Sequence, residues 1–193
     1  MSEPIRALHF LREDMRAGKG REPAWDVGES RTLPAAREII PCYYGYHGSL
    51  SLWDALQYAP GPVACLVELS GDITPHGDPI DKYVARSRKL LAAVNISSEL
   101  RLFAADCAEH VLYMYEQECP GDARPRQAIE AARAYARGEI SAAARAAARD
   151  TAWAASAAAS DAANAAARAA EQQWQREQFE MRFGALFAEA VTL

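Results

Sequence analysis

The chain has 193 residues, with 21 basic and 26 acidic side chains and a formal net charge of −5. Residues 1–95 hold 11 basic and 12 acidic side chains, and residues 96–193 hold 10 and 14. Neither half has the positive excess typical of a nucleic-acid binder. No apolar run reaches the roughly 18 residues of a membrane helix, and the first residues lack a signal-peptide pattern. We therefore expect a cytoplasmic protein that binds neither membranes nor nucleic acids.

The first half of the chain, residues 1–95, has the β-branched and aromatic content of a small α/β domain. Alternating apolar side chains predict a strand over Ile5–Phe10, and Arg37–Ile40 is a candidate for a second, short strand. The run Val63–Leu69 is apolar at nearly every position, which is typical of a central strand covered on both faces. Residues 75–79 are expected to form a loop, whereas residues 81–94 fit either a strand or a helix.

A helix is predicted over Leu52–Tyr58, because Ser51 followed by Asp54 fits a capping box in which Asp replaces the usual Glu. Just before it, Gly45 and Gly48 bound a turn that contains His47. The predicted turn and helix place several polar side chains close together.

The second half, residues 96–193, is poor in valine and isoleucine and predicts helices. One helix is expected over residues 98–118 and another over residues 125–137, with Gly138 as its stop signal. Apolar spacing in the first of these predicts a core-facing stripe made of Leu100, Phe103, Cys107, Val111 and Met114. The fold class is therefore α+β: an α/β domain at 1–95, followed by an all-α, alanine-rich bundle or hairpin at 96–193.

Alanine occupies nineteen of the twenty-nine positions in residues 142–170, and the exceptions recur every eleven residues. Because eleven residues make three helical turns, each set of exceptions lies along one line of a straight helix. Such a helix can pack closely in a bundle or associate with another copy of the chain. A flat threonine row is absent, which argues against ice binding.

The candidate ligand site is the turn and helix start, formed by Tyr46, His47, Ser49 and Asp54, with Tyr44, His76 and Asp78 as possible neighbours. A histidine in a glycine-bounded turn before a helix suits a phosphate or nucleotide. The alternative is that His47 only bonds the loop. For catalysis, the candidates are His47, Tyr58 and Glu68, and the sequence contains no GxGxxG, GxxxxGK(S/T) or HExxH motif.

The four cysteines are widely spaced and form no CxxC motif, so we expect no metal site and no other cofactor. Residues 86–89 form a short basic cluster that we interpret as a solvated face. His110 is expected to be exposed. For protein contacts, the candidates are two arginines and two tryptophans of the alanine-rich half: Arg145, Arg149, Trp153 and Trp174.

Two segments resemble known families. His47-Gly48-Ser49, with residues 53–61 and 67–73, resembles a small domain of unknown function found in phage and bacterial genomes. Residues 119–139, followed by the alanine repeats, resemble the helical domain of immunity proteins proposed for polymorphic-toxin systems. The resemblance implies a protein partner, a toxin or a defence or host protein, and it brings no catalytic residues.

The leading hypothesis is therefore a non-enzymatic interaction protein, phage- or mobile-element-associated, that binds and neutralises a protein partner as an immunity protein or counter-defence inhibitor. A small nucleotide-binding enzyme or ligand sensor using the His47 turn is one alternative. An oligomerising structural module built on the alanine-rich helix is the other.

Overall fold

The computed structural model describes residues 3–18, 22–147 and 165–187. Its contacts divide the chain into two compact units. The N-terminal unit comprises Met1–Ile96 together with Gln178–Leu193, and the helical unit comprises Ser97–Glu177. Strands in the first and helices in the second confirm the α+β class. The division of the chain into domains at residue 95 stays a prediction.

In the part of the N-terminal unit that the structure describes, seven strands form two antiparallel sheets. The larger sheet has the order β1-β4-β7-β2, and the smaller has the order β3-β6-β5. The bounds are β1 Ile5–Leu11, β2 Ser30–Thr32, β3 Tyr46–Gly48, β4 Val63–Ser70, β5 Thr74–His76, β6 Lys82–Ala85 and β7 Ser87–Asn95.

The central position predicted for the apolar strand is confirmed. β4 pairs with β1 on one side and β7 on the other, and its residues from Val63 to Val67 are all buried. Because both faces of β4 are covered, it can be apolar without alternation. The core around it includes Leu11, Trp25 and Leu90, each 1% exposed.

Three details of the predicted strands differ from the structure. Arg37–Ile40 is not a strand, and only Ile40 makes a bridge, to Tyr44. Thr74–His76 is a strand that overlaps the predicted loop, paired with β6 at the edge of the smaller sheet. The ambiguous residues 81–94 form two strands, β6 and β7, which belong to different sheets. Edge pairing depends on partners far along the chain, which local patterns do not contain.

Helix α1 spans Leu52–Leu56 and is shorter than predicted. Its predicted cap is confirmed, because the Asp54 backbone N–H donates to Ser51 Oγ at 3.0 Å. Leu52 and Ala55 are buried beneath it. The cap fixes where the polypeptide leaves β3. The turn predicted around His47 is wrong, because His47 lies within β3 and pairs with Val84 of β6.

The helical unit contains α2 (Ser97–Glu118), α3 (Arg124–Ala136) and helical residues 142–147, here called α4. The predicted helices over 98–118 and 125–137 are confirmed within one or two residues. Gly138 has a φ of 76° after the last turn of α3, as its role as a stop signal predicts. The side chain of Ser141 accepts from the Ala144 N–H at 3.2 Å and caps α4.

Among the described residues of the helical unit, a buried apolar cluster lies between α2 and α3. Ala105, Leu112 and Ile129 are buried together, with Ala132 against them. The predicted core-facing stripe of α2 is only partly right: Phe103 is buried, but Met114 is 39% exposed. When a long helix has few large apolar side chains, their spacing alone does not show which face of the helix is buried.

Helix α5 spans Ala165–Phe183 and is followed by a 3-10 turn at Gly184–Leu186. Phe179 and Phe183 at its end are buried in the N-terminal unit, with ring centroids 4.5 Å apart. Trp53 contacts Phe179 edge-on at 5.5 Å, and its backbone N–H donates to Glu180 at 3.3 Å. Phe179 and Phe183 therefore complete the core beside α1.

Among the described residues, no helix is both long and apolar enough to cross a membrane.

Replacing Gly45 by alanine tests how tightly the turn packs on the smaller sheet. Gly45 has a φ of 152°, and a Cβ there would lie 2.1 Å from Val84 Cγ2, in a fully buried side chain. We expect Gly45→Ala to lower the free energy of unfolding by about 2–3 kcal/mol in urea melts. Gly28→Ala is the matched control, because Gly28 has a φ of 91° and open space around it. A loss no larger than the roughly 1 kcal/mol expected for the control would contradict the packing.

Replacing Phe179 by alanine tests the place of the C-terminal segment in the core. Because Phe179 is fully buried against Trp53 and Phe183, we expect Phe179→Ala to lower the free energy of unfolding by about 3–5 kcal/mol. Met181→Ala, on the same helix, removes a side chain that is 71% exposed and is expected to change stability by less than about 0.5 kcal/mol. Equal effects of the two substitutions would show that the segment does not pack as described.

Candidate functional site

A cavity of about 520 Å³ opens in the N-terminal unit beside β3. This volume lies within the range of small-molecule sites, roughly 300–1,000 Å³. Its polar lining includes two cations, two histidines and one carboxylate: Lys82, Arg88, His9, His47 and Glu22. Tyrosines and small apolar residues form most of the remaining wall.

Arg88 enters this cavity from β7 and is only 3% exposed. Its guanidinium lies 4.4 Å from the ring centre of Trp25 and 5.1 Å from that of Tyr46. One N–H donates to the His47 carbonyl at 3.3 Å. Burial lowers the pKa of Arg88 to about 10, so the group still carries its charge at neutral pH. The aromatic faces replace part of the water that the cation has lost.

Lys82 is the second buried cation and is 5% exposed. Its Nζ lies 3.6 Å from the ring centre of Tyr58, and the Tyr58 hydroxyl donates to Asp81. Burial lowers the pKa of Lys82, but interactions with the Cys42 thiol and the Tyr58 hydroxyl outweigh it and raise the value overall. Lys82 therefore stays protonated while facing an aromatic ring.

A tight turn at residues 40–44 supplies another part of the wall. Ile40 and Tyr44 exchange two backbone hydrogen bonds of 2.8 Å, and Cys42 between them has a φ of 64°. The Cys42 N–H donates to His47 Nε2 at 3.1 Å, and its Sγ lies 3.6 Å from His76 Nε2. An L residue at positive φ costs roughly 1 kcal/mol or more, and these contacts hold it there.

Both cavity histidines are neutral at physiological pH. Burial, followed by the charges of Lys82 and Arg88, lowers the pKa of His47 to about 4. Burial, with Arg88 and His47 as lesser causes, lowers the pKa of His9 well below its usual value. The His9 Nε2 atom is buried without a hydrogen-bond partner among the described residues. Each neutral ring offers one N–H donor and one acceptor to the cavity or its wall.

The structure brings together five of the predicted site residues. The cavity is lined by Tyr44, Tyr46, His47, Ser49 and Tyr58. Asp54 is outside the cavity lining, at the start of α1. Glu68 is also outside, in β4 between its cross-strand neighbours Arg6 and Lys89. Cross-strand pairs share one face of a sheet, so Glu68 has basic neighbours there.

The cations are the site residues that sequence reasoning missed. The interpretation of residues 86–89 as a solvated face is wrong for Arg88, which is buried, although Lys89 is exposed. Alternation along a strand puts neighbouring residues on opposite faces, so one position of a basic cluster can enter the core. The sequence signal that could have indicated the burial of Arg88 is its position on a strand that also contains two leucines.

The helical unit presents a different kind of surface on α2. Tyr113 is 58% exposed and Met114 is 39% exposed, with the exposed carboxylate Glu109 one helical turn earlier and Glu118 one turn later. We call these four residues the α2 face. Large exposed apolar side chains rimmed by charges are typical of protein contact sites.

Helices α2 and α3 are joined by ion pairs centred on Arg133. Its NH2 lies 2.8 Å from Asp106 Oδ1 and 2.6 Å from Glu109 Oε2, and NH1 lies 3.2 Å from Glu130. The hydrogen bond that Glu109 accepts from Arg133 lowers the pKa of Glu109, so its carboxylate stays charged. Arg133 thereby holds one end of the α2 face in place.

The predicted partner-contact residues fall in several places. Trp174 stacks on His110 with ring centroids 3.6 Å apart, and the His110 ring bonds Glu171 at 2.7 Å. His110 is exposed as predicted, although it has these partners. Arg145 lies 4.8 Å from the ring centre of Tyr135. Arg149 and Trp153 lie outside the described residues.

Within the described chain, no group of three or more His, Cys, Asp or Glu side chains could hold a metal ion. All four cysteines are free. Burial raises the pKa of the Cys65 thiol to about 12, so this cysteine is inert at neutral pH.

Comparison with known proteins places a family match on the helical unit. Residues 94–178 match the model of a family described as Imm-5 like putative immunity protein. The matched segment nearly coincides with the compact unit Ser97–Glu177. The helical part of the chain is therefore similar to immunity proteins. No curated protein and no solved structure matches the chain.

The lowered pKa of His47 predicts a loss of stability in mild acid. In the unfolded chain His47 gains a proton near pH 6.5, whereas in the folded chain it stays neutral to about pH 4. Its stabilising contribution is present above pH 6.5 and is lost as pH falls from 6.5 to 4. Allowing for the partial exposure of the ring, we expect a loss of about 2 kcal/mol in urea melts.

His47→Gln should remove this part of the pH dependence, while the part due to His9 remains. The variant is compared with the wild type at about pH 7 and again at about pH 4.5, below the ordinary pKa of histidine. An unchanged difference between the two pH values would show that His47 is not neutral in the folded state.

Proposed function

We propose that the chain is a non-enzymatic interaction protein of the immunity type, which binds and neutralises a protein partner. The observation that carries the proposal is the match of residues 94–178 to an immunity-protein family. That segment contains the α2 face. An immunity protein of this kind acts by occlusion, covering the site that its partner needs.

The α2 face has the composition of a contact surface. Tyrosine supplies a large, rigid contact area at low entropic cost, and methionine adapts its shape to a partner. Glu109 and Glu118 at its ends favour a partner with basic groups around an apolar patch. We propose a toxin or a host defence enzyme with such a surface, met in a phage or mobile-element context.

The binding test uses the purified full-length chain as bait in bacterial lysates, with and without phage infection. We expect one protein retained in stoichiometric amount at high salt. The double substitution Tyr113→Ala with Met114→Ala should weaken its retention at least about tenfold, since central aromatic contacts typically contribute 2 kcal/mol or more. The control is Met181→Ala, which removes an exposed methionine of the N-terminal unit.

Two further results decide the neutralising role. Expression of the retained partner alone should slow growth, and coexpression of the wild-type chain should restore it, whereas the double variant should not. Equal retention by the double variant and the control would reject the α2 face as the contact site. Growth unaffected by the partner alone would reject neutralisation.

A further inference from the structure

The cavity of the N-terminal unit holds two buried cations, Lys82 and Arg88, that form no ion pair with a described residue. Among the described residues, neither Lys82 nor Arg88 has an acidic oxygen within ion-pair distance, although ion pairs are frequent elsewhere in the chain. Taking a charge out of water is costly unless an opposite charge or hydrogen bonds replace the water. The carboxylate in the lining, Glu22, lies 4.0 Å from the guanidinium of Arg31. Because Lys82 and Arg88 lack ion-pair partners of their own within the described ranges, the cavity favours an anionic ligand.

The donors needed to bind such an anion are available. Arg88 has five N–H groups. Among the described residues, one of these groups donates a hydrogen bond, to the His47 carbonyl. Its guanidinium is held between the Trp25 and Tyr46 rings, so its orientation is fixed before a ligand arrives. A preoriented guanidinium fork and a lysine ammonium are a recurrent pair in phosphate sites.

The rest of the wall suits an organic group attached to the anion. Tyr43, Tyr44 and Tyr46 line the cavity together with Leu8 and Leu33. Glu22 Oε2 lies 4.0 Å from Arg31 NH1 and accepts no hydrogen bond from a described residue, so it can accept a hydroxyl hydrogen. His9 Nε2, also without a partner there, offers one more polar contact. The volume of about 520 Å³ exceeds what a free phosphate ion needs.

We propose that this cavity binds a phosphorylated small molecule of about mononucleotide size, with its phosphate on Lys82 and Arg88. Cys42, on the cavity wall, is an exposed thiol that the bound ligand would cover. The site is independent of the α2 face and adds a ligand-binding function to the N-terminal unit. Ligand binding and partner binding can therefore be tested separately.

The first experiment measures protection of Cys42 in the wild-type full chain. Iodoacetamide labelling is followed by peptide mass spectrometry with AMP, adenosine or inorganic phosphate present, and Cys107 and Cys119 serve as internal references. AMP should slow the labelling of Cys42 in proportion to the occupied fraction and leave the references unchanged. Adenosine at the same concentration should not protect.

The second experiment measures AMP affinity by calorimetry in two variants that each lose one positive charge. Lys82→Met should weaken AMP binding at least about tenfold, as expected when a charged phosphate contact is lost. Lys89→Met, in which the lysine is exposed on β7, should leave it unchanged. Thermal melting of both variants establishes that they are folded.

Three results would overturn the proposal. Equal protection by AMP and adenosine would show that the phosphate is not recognised. Inorganic phosphate binding as tightly as AMP would reject the organic part of the ligand. No protection by any of the three at millimolar concentration would reject the site, whether or not the Lys82 variant folds. None of these results bears on the α2 face.

Discussion

The N-terminal unit is organised around a charge that has been taken out of water. Arg88 lies on β7, one of the two middle strands of the larger sheet. Its guanidinium contacts the rings of Trp25 and Tyr46 and the carbonyl of His47. A second guanidinium, from Arg31, lies 4.0 Å from the same Trp25 ring. These contacts connect β7 with the loop before β2 and with β3, so the cavity wall and the core are built from the same residues.

The connection between the two sheets places the second cation. β6 and β7 are separated by a single residue, Arg86, where the chain passes from the smaller sheet to the larger one. Arg86 binds Asp72 at 2.6 Å and donates to the carbonyls of Pro34 and Arg37. This side chain therefore stabilises the crossing point. Lys82 belongs to β6 of the smaller sheet, just before Arg86, and Arg88 belongs to β7 of the larger sheet, just after it. Both side chains line the same cavity.

The helical unit is stabilised in another way. Among its described residues, Ala105, Leu112 and Ile129 form a buried apolar cluster between α2 and α3. Ion pairs at Arg133 and the stacked rings of His110 and Trp174 add connections between its helices. Large apolar side chains that do not enter this core, Tyr113 and Met114, stay on the surface. A helix of this kind can present contact residues to a protein partner, in agreement with its similarity to immunity proteins.

Features that depend on neighbours along the chain could be predicted from the amino-acid sequence. These are the central strand Val63–Ser70, the cap at Ser51, the stop at Gly138 and the resemblance of the second half to immunity proteins. The pattern around His47 drew attention to the right residues but predicted a turn where the structure has strand β3. Local patterns could not show that residues 82–95 form strands of two different sheets. Nor could they show that Arg88, in a basic cluster expected to be solvated, is buried. The reason is physical: caps and turns are local hydrogen bonds, whereas the burial of a charge depends on rings and carbonyls supplied by distant segments.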